Sequence, residues 1–141
     1  MRISRRLHLL PVAALVLAAG CSDLGVETGA GSVTGLTIQD SGGNTLVTVG
    51  SGVTGSLTVP RNGTRSLRIT LTGPGGVVTP GIAESIRVSV TNSVVASWTE
   101  TGEGTGTLRG GASAGQTSLR VDLISAGSAD YTSPAIPVQV S

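Results

Sequence analysis

The versatile side chains in this chain of 141 residues are few: one Cys, one His, one Trp, one Tyr, eight carboxylates, no Phe and no Lys. Nucleophilic catalysis of the Ser-His-Asp or Cys-His type needs an imidazole beside the nucleophile. The only imidazole is His8, inside an apolar N-terminal run. Zinc sites need several Cys or His ligands, and Schiff-base or P-loop chemistry needs a Lys. Carboxylates remain. Glu100 and Glu103 in "TETGEG" fall in a Gly-rich stretch where they can approach one another. One reading is a calcium site, which takes about six to eight oxygens. The other is a solvated hairpin tip, favoured because no DxDxDG pattern or run of alternating acids occurs. "GPGG" and "GAGS" lack the Lys and the strand-to-helix setting of a phosphate cradle. Asn62-Gly63-Thr64 fits a glycosylation sequon and equally a hairpin turn. The expectation is a protein without catalytic residues, cofactor or metal.

Two aromatic residues are candidate ligand contacts. Trp98 shares strand parity with Val94 and Ala96, so it reads as an inward space-filler. Exposed, it would instead be a platform for a sugar ring. Tyr131, in "GSADYTSP", reads as a residue that anchors a corner through its hydroxyl, with ligand contact as the alternative.

Cys21 is explained by what precedes it. Arg2, Arg5 and Arg6 make a basic start, and Leu7 to Ala19 is apolar except for His8 and Pro11. Ala18, Ala19 and Gly20 then supply small side chains. This is the layout of a secretory signal peptide. Its apolar run falls short of the roughly 20 residues of a spanning helix. "SRR" at 4–6 faintly resembles a twin-arginine signal, but His8-Leu9 follow in place of Phe-Leu, which fits an ordinary basic start.

"LAAGC" resembles the lipobox of bacterial lipoproteins. Ala18 stands where that family prefers Leu, with Leu17 one place further back. The resemblance implies that the Cys21 thiol is acylated, that the chain is cut before it, and that the new amino terminus is acylated too. The membrane is then a partner through Cys21. Ser22 in place of Asp resembles the pattern sent to the outer membrane in cells with two membranes. The organisation expected is a signal peptide at 1–20, a lipidated Cys with a flexible Gly/Ser/Thr tether at 21–32, and one domain at 33–141.

Removing residues 1–20 leaves six Arg (61, 65, 68, 87, 109, 120) against eight acids, so the precursor's +1 becomes −2. The basicity belongs to the export segment. No basic cluster remains for nucleic acid or for an anionic surface.

From Val33 onward the apolar residues alternate. Leu36 and Ile38 share a face, as do Leu67, Ile69 and Leu71 with Arg68 and Thr70 opposed. Ile86, Val88 and Val90 repeat the pattern, then Leu119, Val121 and Leu123, and then Ile136, Val138 and Val140. Each run predicts a strand with one buried face. "DSGGN", "PRNG", "GPGG" and "RGGASAG" are turns, because Gly, Pro and Asn suit the required dihedrals. Seven to nine strands are expected, in an all-β, antiparallel β-sandwich.

Residues 57–124 resemble the bacterial immunoglobulin-like domains of group 2. The match rests on Val94, Val95 and Ala96 at a "VAxV"-like step and on Gly110, Ala114, Gly115, Thr117 and Val121 in the closing pattern. The resemblance implies an immunoglobulin-like sandwich. No second copy occurs in the sequence, so a single module is expected. The function expected is a non-enzymatic binding or spacer module in the cell envelope, with an envelope protein or glycan as possible ligand. The alternative is a carbohydrate binder using an exposed Trp98 or Tyr131.

Overall fold

The computed structural model describes residues 32–141. The expected signal peptide, Cys21 and the tether as far as residue 31 lie outside the described residues. Twelve strands follow in order: β1 Gly35–Asp40, β2 Thr45–Val49, β3 Val53–Gly55, β4 Leu57–Val59, β5 Thr64–Gly73 and β6 Gly76–Val78. They continue with β7 Glu84–Val90, β8 Ala96–Gly102, β9 Thr105–Gly110, β10 Gly115–Ser125, β11 Ser128–Thr132 and β12 Ile136–Val140. The count exceeds the expected seven to nine. β3, β4 and β6 are three residues each, too short for alternation to register.

The strands form two sheets. The first runs β3-β2-β1-β5-β9-β8, with β6 continuing one edge of β5. The second runs β11-β10-β12-β4, with β7 on the other side of β10. The orders β1-β5-β9-β8 and β7-β10-β12 are the A-B-E-D and C-F-G sheets of an immunoglobulin sandwich. β4 lies parallel to β12, and β2 and β3 extend the first sheet beyond β1.

The interior is aliphatic throughout. Leu36, Ile38, Val47, Val49, Leu67, Ile69, Leu71, Ala96 and Leu108 face inward from the first sheet. They meet Leu57, Val59, Ile86, Leu119, Val121, Leu123, Ile136, Val138 and Val140 from the second. Burial of these side chains, about 1.5–3 kcal/mol each when complete, holds the sheets together where antibody domains add an inter-sheet disulfide.

One buried polar residue keeps the second sheet continuous. Ser133 lies where the chain leaves β11 and has yet to enter β12, and it is 2% exposed. Its N–H donates to the Val121 carbonyl at 2.8 Å, and its hydroxyl accepts from the Val121 N–H at 3.0 Å. The hydroxyl in turn donates to the Pro134 carbonyl at 2.9 Å. A backbone gap in the ladder is thereby filled by a side chain, as buried amides require.

Candidate functional site

Alternation that sends aliphatic side chains inward sends their neighbours out. On the first sheet those neighbours are mostly hydroxyl-bearing. Thr54, Thr48, Thr37 and Thr70 are direct partners across β3, β2, β1 and β5. The next row contains Gln39, Arg68 and Thr105, and the one beyond it Ser66, Thr107 and Thr99. Neighbouring strands lie about 4.8 Å apart, so these side chains form a continuous polar strip.

A groove of about 490 Å³ opens at one end of this face, between the β1–β2 turn and Ser66, Arg68, Thr101 and Thr105. The turn is preorganised. One oxygen of Asp40 accepts from the N–H groups of Gly42 and Asn44, each at 2.9 Å, and both carboxylate oxygens accept from the Asn44 amide. The Asn44 side chain, with these backbone donors, holds the Asp40 carboxyl below its ordinary range. Its contribution to the turn is therefore present at neutral pH and lost as the pH falls through that lowered value. The groove combines a guanidinium, the Asp40 carboxylate, amides and hydroxyls, which can hydrogen-bond a polyol. The sequence signal for it was the outward parity of "LTIQD" and "SLRITL"; the pairing of Gln39 with Arg68 was not visible there.

Neither aromatic residue lines the groove. Trp98 points to the inner side, opposite fully buried Leu108, and its ring lies over Gly106. Because β8 is an edge strand, the indole is half-buried and not enclosed. Val94 does not share its orientation. It sits in the β7–β8 turn and is 82% exposed, because strand parity begins only at Ala96. Tyr131 lies on β11 opposite Leu123, half-buried against the core. Its hydroxyl is buried without a hydrogen-bond partner among the described residues, so the expected corner bond is not made. Burial pushes its phenol above the ordinary value of 10.0.

Glu100 and Glu103 take different roles. Glu100 is exposed on β8. Glu103, at the tip of the β8–β9 hairpin, accepts the Ile86 N–H at 2.8 Å. The tip is therefore not simply solvated: it fastens the first sheet to the edge strand β7 of the second. Beside it the Gly104 carbonyl accepts the Ile69 N–H at 2.6 Å. No cluster of three or more His, Cys, Asp or Glu occurs among the described residues. Glu103→Ala should cost about 1.5–3 kcal/mol, as loss of a charged acceptor does. Glu100→Ala should stay within about 0.5 kcal/mol. Denaturant midpoints of the two variants check this, and equal losses would remove the distinction. Asn62 stands in the β4–β5 turn at φ 56°, a conformation that Asn tolerates.

No protein-family model matches the chain, and no curated protein matches it. Among solved structures it is similar to FdeC, an Escherichia coli adhesin, at 22% sequence identity and a TM-score of 0.40. The similarity covers 79% of this chain and 31% of the adhesin chain.

Proposed function

We propose that the protein is a bacterial lipoprotein of the cell envelope, held in the membrane through acylated Cys21, whose immunoglobulin-like domain is a non-enzymatic binding or spacer module of the group 2 type. In a cell with two membranes the outer membrane is its place. The observation that supports this best is the sequence "LAAGC" followed, after a short polar stretch, by a sandwich with an aliphatic interior and its polar groups on outer faces. Such a domain acts through its surface. The hydroxyl-rich face of the first sheet and the groove at Arg68 are the surface we assign to an envelope protein or glycan ligand. The half-buried setting of Trp98 over Gly106 favours the groove over a stacked aromatic ring as the point of contact.

The anchor is tested by mass and by fractionation. Protein extracted from membranes should begin at Cys21 and carry added acyl mass. Several acyl chains bind far more firmly than one, since each buried methylene contributes about 0.8 kcal/mol. Cys21→Ala should remove that mass and move the protein out of the detergent-extracted membrane fraction. A wild-type protein with an unmodified thiol, washed from membranes by buffer, would end the lipoprotein reading.

A further inference from the structure

We propose that the pole of the sandwich at which the chain arrives from Cys21 rests on the lipid surface itself, through an uncharged loop cluster headed by Ile82 and Val77. The proposal rests on the lipoprotein reading above and adds a second, non-covalent contact to it.

Strand registers define the pole. The described chain enters beside the far end of β5: the Thr34 N–H donates to the Thr72 carbonyl at 2.8 Å, and Gly35 pairs with Thr72. Ser32 lies so close to Gly73 that a Cβ there would run into its carbonyl oxygen. Thr72 also pairs with Val77, and Gly73 with Gly76, so the β5–β6 turn shares this end. The β6–β7 loop leaves from the same place and delivers Glu84, the partner of Ser125, to the second sheet. That pairing puts the β10–β11 turn at this pole as well. The β2–β3 turn joins them, because Val49 pairs with both Leu36 and Val53.

The composition of this pole is distinctive. Residues 50–52 are Gly-Ser-Gly, residues 73–83 are "GPGGVVTPGIA", and residues 125–128 are Ser-Ala-Gly-Ser; none is charged. Ile82 is 101% exposed and Val77 is 71% exposed. Charge begins behind the tip. Glu84 turns its carboxylate back to accept the Gly81 N–H at 2.7 Å, Asp130 lies further along β11, and Glu103 of the β8–β9 hairpin accepts the Ile86 N–H two residues into β7. The opposite pole, with the turns at 60–63 and 111–114, has Arg61 and Arg109 close by.

Ten residues, 22–31, separate Cys21 from Ser32. Fully extended they reach at most about 40 Å, so the acyl anchor keeps this pole, where the chain enters, within that distance of the bilayer. The loop tips carry no charge of their own to be repelled by anionic headgroups, and an isoleucine and a valine offered to the interface gain burial that water denies them. A lipid surface needs only apolar tips and the absence of charge.

The lone cysteine makes the test clean. When Cys21 is acylated, a thiol introduced by Ile82→Cys is the only one that a polarity-sensitive maleimide dye can label. The full acylated chain is placed in vesicles of phosphatidylethanolamine and phosphatidylglycerol. Val94→Cys is the control, because Val94 is also apolar and, at 82%, strongly exposed but lies at the opposite pole. Dye at position 82 should emit to the blue of its value in detergent-free buffer and be quenched several-fold more strongly by brominated lipid than dye at position 94. Water-like emission and weak quenching at both positions would overturn the contact and leave the acyl anchor standing. Equal, strong quenching at both would overturn the assignment of the pole. Labelling of the unsubstituted protein would reveal a free Cys21, which ends the anchor reading and the contact with it.

Discussion

Leu119→Ala should lower the stability of the domain by about 3–5 kcal/mol, the upper part of the range for buried leucines. Leu119 is fully buried on β10, with Val90 of β7 on one side and Ile136 of β12 on the other. Strands hydrogen-bonded on both flanks cannot close in on the vacated space, so the cavity persists and adds to the lost transfer energy. The interior contains no fully buried aromatic ring that could swing into the hole. Against a total stability of about 5–15 kcal/mol, the variant should be partly unfolded well below the wild-type melting temperature. Leu119→Met keeps the volume and should cost less than about 1.5 kcal/mol. Urea titration of both gives the difference. A loss below about 1 kcal/mol for the alanine variant would mean that the two sheets are not packed on this residue.

The second large effect is a clash. A Cβ at Gly106 would fall inside the Trp98 ring and against the Thr99 carbonyl, so Gly106→Ala should push the indole off the inner side of β9. Overpacking of this kind costs about 1–3 kcal/mol. As Trp98 is the only tryptophan, its emission reports the event without interference. The wild type should emit at an intermediate wavelength, as a half-buried ring does. Gly106→Ala should shift emission to the red and raise acrylamide quenching. Trp98→Ala should cost less than the 3–5 kcal/mol typical of an enclosed ring, because one side of this one meets solvent at the sheet edge. In the double variant the clash disappears, so the two losses should not add. Additive losses, or an unshifted spectrum in Gly106→Ala, would mean that the ring is not seated on Gly106.

How much was legible beforehand differs from residue to residue. The inward faces of β5, β7, β10 and β12 could be read directly, because alternation is a local property and Leu67, Ile69, Val121 or Val138 each declare a side. The turns at 40–44 and 60–63 were equally local. Trp98 was harder. Parity gave its side, but how deeply it is buried depends on β8 being an edge strand, which is a matter of sheet order. Val94 shows the limit of parity: counting back from Ala96 crosses the start of the strand, where the rule ceases to apply. Glu103 and Tyr131 lie beyond local patterning for a related reason. Whether a side chain finds a partner depends on residues far away in sequence, Ile86 for the first and none for the second.

By itself, then, the sequence determined the strand faces, the turns, the all-β class and the resemblance of the first 21 residues to a lipoprotein leader, all of which are short-range patterns. Only the tertiary structure decided which strands lie side by side, because backbone hydrogen bonds pair any two strands of suitable face and the choice is made by packing across the whole sandwich. That choice aligned four threonines on one outer face and set Arg68 between Gln39 and Thr105. It also gathered three uncharged loops, from distant parts of the chain, at the end where Ser32 enters.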